Sequence, residues 1–145
     1  MDKIKVLFLC DQNEIRSIIA EAMLNEYAGD RYIAESAGLE AGSINPLAIQ
    51  AMNDIGIDIS TKKTKSVFDL HKKGESYDYI ITVCNEYTHE KCPEFSGDVK
   101  SLHWHFDEPK GIYLEPGKRI HYMVDFRNEI LDKIHAWDKE VRKEK

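Results

Sequence analysis

An α/β fold, built on a four-stranded parallel sheet in the order 2-1-3-4 with helices on both faces, is what this chain predicts from three observations. Strand and helix signals alternate along its length, its two strongest apolar runs are short and β-branched enough to be buried strands, and a long helical pattern fills its last quarter. Right-handed crossovers between successive strands then give the order. The 145 residues suit a single domain, 1–145, with one core.

The elements follow in order. Ile4 to Leu9, interrupted only by Lys5, reads as a buried strand that stops at Cys10. A helix then begins at Ser17, which can cap it, and Ile18, Ile19, Ala22 and Met23 recur on one face. Tyr32 to Gly38 reads as a second strand. Asn45 and Pro46 open a helix as cap and first helical residue, Ala48, Ile49, Met52 and Ile55 form its stripe, and Gly56 ends it. Ile57 to Ser60 is too short to assign, and a weak helix follows from Ser66 to His71. Tyr79 to Cys84 is the third strand and Val99 to Trp104 the fourth. From Lys118 to Arg142 the spacing of Ile120, Met123, Val124, Ile130, Leu131, Ile134 and Val141 is helical. The chain shows no repeat, low-complexity tract or linker.

Composition excludes several classes. A net charge of -6 argues against a nucleic-acid binder, which would present a basic face. Lysines 62, 63, 65, 72 and 73 are the one basic cluster, read here as a solvated loop. No stretch has the length of a membrane span, and the opening residues run straight into a strand rather than a signal peptide. A cytoplasmic monomer is expected. Three cysteines, Cys10, Cys84 and Cys92, are an odd number, which in a reducing compartment favours reactive thiols over a disulfide framework.

Ligands of parallel sheets sit outside the carboxyl ends of the strands, which puts Cys10 and Cys84 on one edge with Cys92 on a loop or short helix nearby. The loop Cys10-x5-Arg16-Ser17 delivers a thiol to a helix N-terminus, where backbone N–H groups and the helix dipole favour a thiolate. Arg16 supplies a planar fork of donors matched to a tetrahedral oxyanion. Cys10 therefore reads as a nucleophile and Arg16 as the clamp that holds phosphate or an analogue against it. Cys84, His89 and Cys92, with His103 and His105, could be assembled into a zinc site, but their spacing matches no common finger. Trp104, Phe106, Tyr113, Tyr122 and Trp137 are read as packing.

These residues carry a resemblance. VLFLC-x2-N-x2-RS-x2-AEA, ESAG, NP-x-AI-x-AM-x2-IGIDIS, DYIITVC-x7-CP and HWHFDEP, in that order, resemble the thioredoxin-coupled arsenate reductases, which share the fold of the low-molecular-weight protein tyrosine phosphatases. The block from Asn45 to Ser60 and the Cys84/Cys92 pair are specific to the reductase branch. The resemblance implies that Cys10 attacks arsenate bound by Asn13, Arg16, Ser17 and the loop N–H groups, with Asp107 or Glu108 protonating the departing oxygen. Cys84 would then attack Cys10 and release arsenite, and Cys92 would take Cys84, leaving a Cys84–Cys92 disulfide for thioredoxin. This chemistry needs no metal or organic cofactor.

The chain departs from the family at three loop positions. Gln12 stands where the family has glycine, and Asp11 and Glu14 add two negative charges, whose side chains are expected to point to solvent. Glu21 and Ser36 match positions that in some relatives help hold a potassium ion, but the aspartate those relatives add falls near Lys65 and Ser66, so no ion is expected. A phosphatase acting through Cys10 alone, and a weak relative whose thiols sense redox state, are the alternative readings.

Overall fold

The computed structural model describes residues 2–11, 13, 15–83, 90–106 and 118–143. Its sheet has the strands β1 (Ile4–Cys10), β2 (Tyr32–Gly38), β3 (Tyr79–Thr82) and β4 (Lys100–His103), in the order β2-β1-β3-β4 and parallel throughout. The expected order and direction are therefore those observed. Strand β1 is central, paired with β2 on one side and β3 on the other, which is why Val6 to Leu9 are apolar without alternation and wholly buried. Cys84, expected to end the third strand, lies outside the described residues, as do His89 and Tyr113.

The pleat of β1 sorts the core into two layers. Val6, Phe8 and Cys10 belong to the larger, packed with helices α1 (Arg16–Ala28), α2 (Pro46–Asn53) and α4 (Arg119–Lys143). Leu7 and Leu9 belong to the smaller, covered by Val67 and Leu70 of α3 (Val67–Lys72) and by Cys92, Phe95 and Val99.

Local chemistry explains the helix ends. Asn45 caps α2 through its side-chain oxygen, which accepts the Leu47 N–H at 2.8 Å, and Pro46 occupies the first turn. Past that helix the chain turns at Gly56, whose φ of +80° suits glycine. Ser66 caps α3 in the same manner as Asn45. Helix α4 buries Tyr122, Met123, Phe126, Ile130, Ile134, Trp137 and Val141, a single stripe of helical period. Trp137 sits among Tyr32, Tyr79 and Trp104 with ring centroids 5.0, 5.1 and 5.8 Å away. Helices α2 and α4 are pinned together by Arg127, which donates to the Ala51 carbonyl at 2.6 Å.

Ser17 is a correction. Helix α1 starts one residue earlier, after Ile15, with no side-chain cap, and Ser17 lies inside it. Its hydroxyl is committed elsewhere.

Candidate active site

Strand β1 ends at Cys10, whose thiol is buried on the larger core face at the carboxyl edge of the sheet. The backbone beyond it is zipped to the chain after β2, with Leu39 N–H donating to the Cys10 carbonyl at 3.1 Å and Glu40 N–H to that of Asp11 at 3.0 Å. Two residues further on, Asn13 is wholly buried with φ +53°, the left-handed conformation that asparagine tolerates better than most side chains. That twist turns its backbone N–H onto the Cys10 sulfur at 3.2 Å.

The Asn13 side chain organises the rest. Its Oδ1 accepts the backbone N–H of Lys65 at 2.9 Å, which settles the orientation of the amide. Nδ2 must then be the atom that donates to Ser17 Oγ at 2.9 Å and to Ser36 Oγ at 3.0 Å. Ser36, in turn, donates its own proton to Glu21 Oε1 at 2.9 Å. Ser17 Oγ accepts from Asn13 and lies 2.8 Å from Cys10 Sγ, where it donates when Cys10 is a thiolate. Among the described residues, the Asn13 N–H and the Ser17 hydroxyl both meet a thiolate at Cys10 as donors. Hydrogen bonds of this kind favour the charged form of the thiol.

Sequence register explains how distant residues reach this point. Phe8 pairs with Ser36 and Cys10 with Gly38, so Ser36 projects on the same face as Cys10. Asn13, Ser17 and Glu21 are spaced by four, one line along the start of α1. Glu21 ends that line, and its other oxygen, Oε2, meets the Lys62 ammonium at 2.5 Å. Lys62 is therefore not part of a solvated loop, as its composition suggested, because a carboxylate buried in α1 recruits it. The Glu21 side chain keeps only 10 % of its exposure. A charged residue between Ala20 and Ala22 on a buried helix was the signal that a counterion was needed.

The other expected residues divide. Arg16 opens α1 at the loop's end, half-buried, with its Nη1 atom buried. Asp11 is exposed, in keeping with its expected outward orientation. Gln12, Glu14, Asp107 and Glu108 lie outside the described residues. Trp104 and Phe106, which lead toward the acids, are buried against Phe8 and Phe126 with centroids 5.9 and 5.0 Å apart. Among the described residues no group of three potential ligands could hold a metal ion.

Cys92 is not brought to Cys10. It packs on the smaller core layer, across the sheet, beside Ile80 and Phe95, and lines a cavity of about 240 Å³. Burial there pushes its thiol up to about 11. It is a free thiol that stays protonated at neutral pH.

The sheet order and a cysteine loop entering a helix define a class, and the comparisons agree with it. Residues 5–145 match the family described as low molecular weight phosphotyrosine protein phosphatase, and the chain belongs to that family. Within it, the chain is 40% identical over 133 residues to an arsenate reductase of Bacillus cereus (strain Q1), with 92% of each chain covered. An arsenate reductase of Bacillus anthracis (strain CDC 684 / NRRL 3495) is 39% identical over the same share of both chains. Among solved structures, the thioredoxin-dependent arsenate reductase of Corynebacterium glutamicum superposes with a TM-score of 0.75 at 26% identity, over 99% of this chain and 64% of that one. The arsenate reductase of Archaeoglobus fulgidus DSM 4304 gives 0.65 at 27% identity, over 90% of this chain and 98% of that one.

Proposed function

We propose that this chain reduces arsenate to arsenite through a relay of Cys10, Cys84 and Cys92, with thioredoxin as the final reductant. The observation that carries the reading is the pair of donors on the Cys10 sulfur, joined to the arsenate reductase names of relatives that the chain covers almost fully. An uncapped helix start offers N–H groups to an oxyanion, and Arg16 adds a bidentate fork.

In this reading the Cys10 thiolate displaces one arsenate oxygen, which leaves as water after protonation by Asp107 or Glu108. The Cys84 thiolate then attacks Cys10 Sγ. The sulfur–arsenic bond breaks with its electron pair going to arsenic, so As(V) becomes As(III) while two thiols become the Cys10–Cys84 disulfide. Cys92 attacks Cys84 and returns Cys10 as a thiolate. The Cys84–Cys92 disulfide is then reduced by the dithiol of thioredoxin. The place of Cys92 across the sheet supports this order, since Cys10 needs an intermediary to exchange with it. Its protonated state supports a late entry, after the thiol leaves its pocket.

The test is arsenite release with thioredoxin, thioredoxin reductase and NADPH, beside hydrolysis of an aryl phosphate by the same preparation. Cys10→Ser should abolish release. Cys92→Ser should stop after one turnover with a Cys10–Cys84 disulfide found by peptide mapping. Three reduced thiols after arsenate treatment, or aryl phosphate hydrolysis indifferent to Cys84 and Cys92 with no arsenite formed, would sink the relay.

A further inference from the structure

The segment from Ile59 to Ser66 lies outside any helix or strand before its bridge to Gly38, yet it is held firmly. Ile59 is wholly buried, Asp58 accepts from Ser60 N–H at 2.9 Å, and Lys62 N–H donates to the Ile59 carbonyl at 3.2 Å. Further on, Thr64 Oγ1 donates to the Gly42 carbonyl at 2.6 Å, and Lys65 donates to Asn13 while accepting from Gly38 N–H at 2.9 Å. This platform presents the Lys62 ammonium to Glu21 and the Lys65 backbone to Asn13, the two ends of the polar chain behind Cys10.

The described residues do not fit a resident potassium ion. A potassium ion takes several oxygen lone pairs converging on one centre. Here Glu21 Oε2 is taken by Lys62, Glu21 Oε1 by the Ser36 hydroxyl and Asn13 Oδ1 by the Lys65 N–H. An ammonium touching Glu21 also repels a second cation from the same place.

We infer that Lys62 is a positioning residue, the built-in cation of the Cys10 loop, and that this chain orders its nucleophile without a monovalent metal ion. The inference rests on reading Cys10 as the nucleophile. With Lys62 in place, Glu21 remains a carboxylate that only accepts, which turns the Ser36 hydroxyl toward it, while the Asn13 amide, oriented by the Lys65 N–H, donates to Ser36 and Ser17, and Ser17 serves the Cys10 thiolate. Without it, Glu21 either keeps a bare negative charge that opposes the thiolate or gains a proton that competes for Ser36. Both weaken the donor at Cys10.

The measurement is the pH dependence of Cys10 alkylation in a Cys84→Ser, Cys92→Ser background, in which Asp11, Arg16, Lys65 and its partner Glu35, charged groups of this edge among the described residues, are unchanged. Lys62→Ala should raise the midpoint by about one pH unit, about a tenfold slower reaction at neutral pH. Lys62→Arg should restore it, as should ethylammonium added to Lys62→Ala. Removing both charges, in Glu21→Gln with Lys62→Met, should return the midpoint toward the parent's. The parent should show the same midpoint and Tm in potassium as in sodium at equal ionic strength. A parent that responds to potassium specifically, or a Lys62→Ala midpoint equal to the parent's, overturns the inference. If Lys62→Ala does not fold, the double variant decides: folding with a parent-like midpoint supports charge pairing, and failure to fold shows a packing role instead. Alkylation reports on the sulfur whatever the oxyanion, so loss of the arsenate reading would leave this result standing.

Discussion

Among the described residues two carboxylates are buried, Asp138 at 5% exposure and Glu21 at 8%, and they occupy opposite ends of strand β2. Asp138 meets the strand's first residue, accepting from the Tyr32 hydroxyl at 2.7 Å, and is held by Arg31 at 2.5 Å and Arg142 at 2.6 Å. Glu21 meets the strand near its last residue, through Ser36, and has Lys62 as its cation. The ingredients are alike: a hydroxyl, a cation and a carboxylate out of water. What differs is where the hydrogen bonds go next. The Asp138 cluster ends on itself and ties α4 to the start of β2, whereas the Glu21 cluster continues through Asn13 and Ser17 to Cys10. One buried charge serves stability, and the other anchors a hydrogen-bonded chain that ends on a sulfur.

Breaking the structural member should have the largest effect. Asp138→Asn leaves two guanidinium groups facing a neutral amide and should cost about 3 kcal/mol, lowering Tm by about 10 °C. Cys10 alkylation should keep its midpoint. Acid reads the same cluster without mutation. Burial alone would raise the Asp138 carboxyl, but hydrogen bonds from Arg142, Tyr32 and Arg31 outweigh it and hold the group at about 2. A carboxylate depressed in the folded state stabilises above its unfolded pKa. This contribution, about 2 kcal/mol, is complete above about pH 4 and fades as pH falls through about 2. Wild type should lose stability over that window faster than Asp138→Asn does, by urea melts at a series of pH values. Parallel loss in both would place the acid lability elsewhere.

Breaking the other member at Asn13 sharpens the contrast, since it should move reactivity more than stability. Asn13→Gly removes both side-chain donors but keeps φ +53° without strain and leaves the backbone N–H on the sulfur. Its Cys10 alkylation midpoint should rise by about one unit, because Ser17 is no longer held by Asn13 with its hydroxyl toward the sulfur. Asn13→Ala should shift the midpoint equally and cost about 1 kcal/mol more stability for the left-handed backbone. Equal Tm values for the two variants would show that the twist carries no strain there.

The fold was legible because its cues are local and repeated. β1 and β2 announce themselves by apolar content, α2 by Asn45 and Pro46, and α4 by its stripe, and handedness then leaves little choice of order. The site was legible only in part. Cys10 ends β1 and Arg16 opens α1, the layout that their spacing predicts, but the sequence pattern makes Ser17 a cap because local preference says nothing of a sulfur across the loop. Lys62 was read as solvated for the same reason: its partner, Glu21, lies on another element. The face that Cys92 occupies was equally invisible, since a loop residue carries no pleat from which to tell one side of the sheet from the other. Tertiary polar contacts decided the first two and apolar packing the third.

Asp11 gives the smallest expected effect and the finest test of the comparison, because its charge is exposed beside the site. Asp11 is exposed, and an exposed carboxylate acts on a neighbouring charge mainly through water. At about 8 Å and the dielectric of water, two unit charges interact by about 0.5 kcal/mol, less than half a pKa unit, and salt reduces that further. Asp11→Thr should therefore lower the Cys10 alkylation midpoint by under about half a unit at low salt, with the difference disappearing as ionic strength rises. Lys62→Ala should shift it the other way, and by more, with little response to salt, because that charge acts through buried hydrogen bonds. If Asp11→Thr instead drops the midpoint sharply at all salt concentrations, the acid couples directly to the sulfur. The loop would then be electrostatically spoiled, and a redox-sensing thiol would describe Cys10 better than a catalytic one.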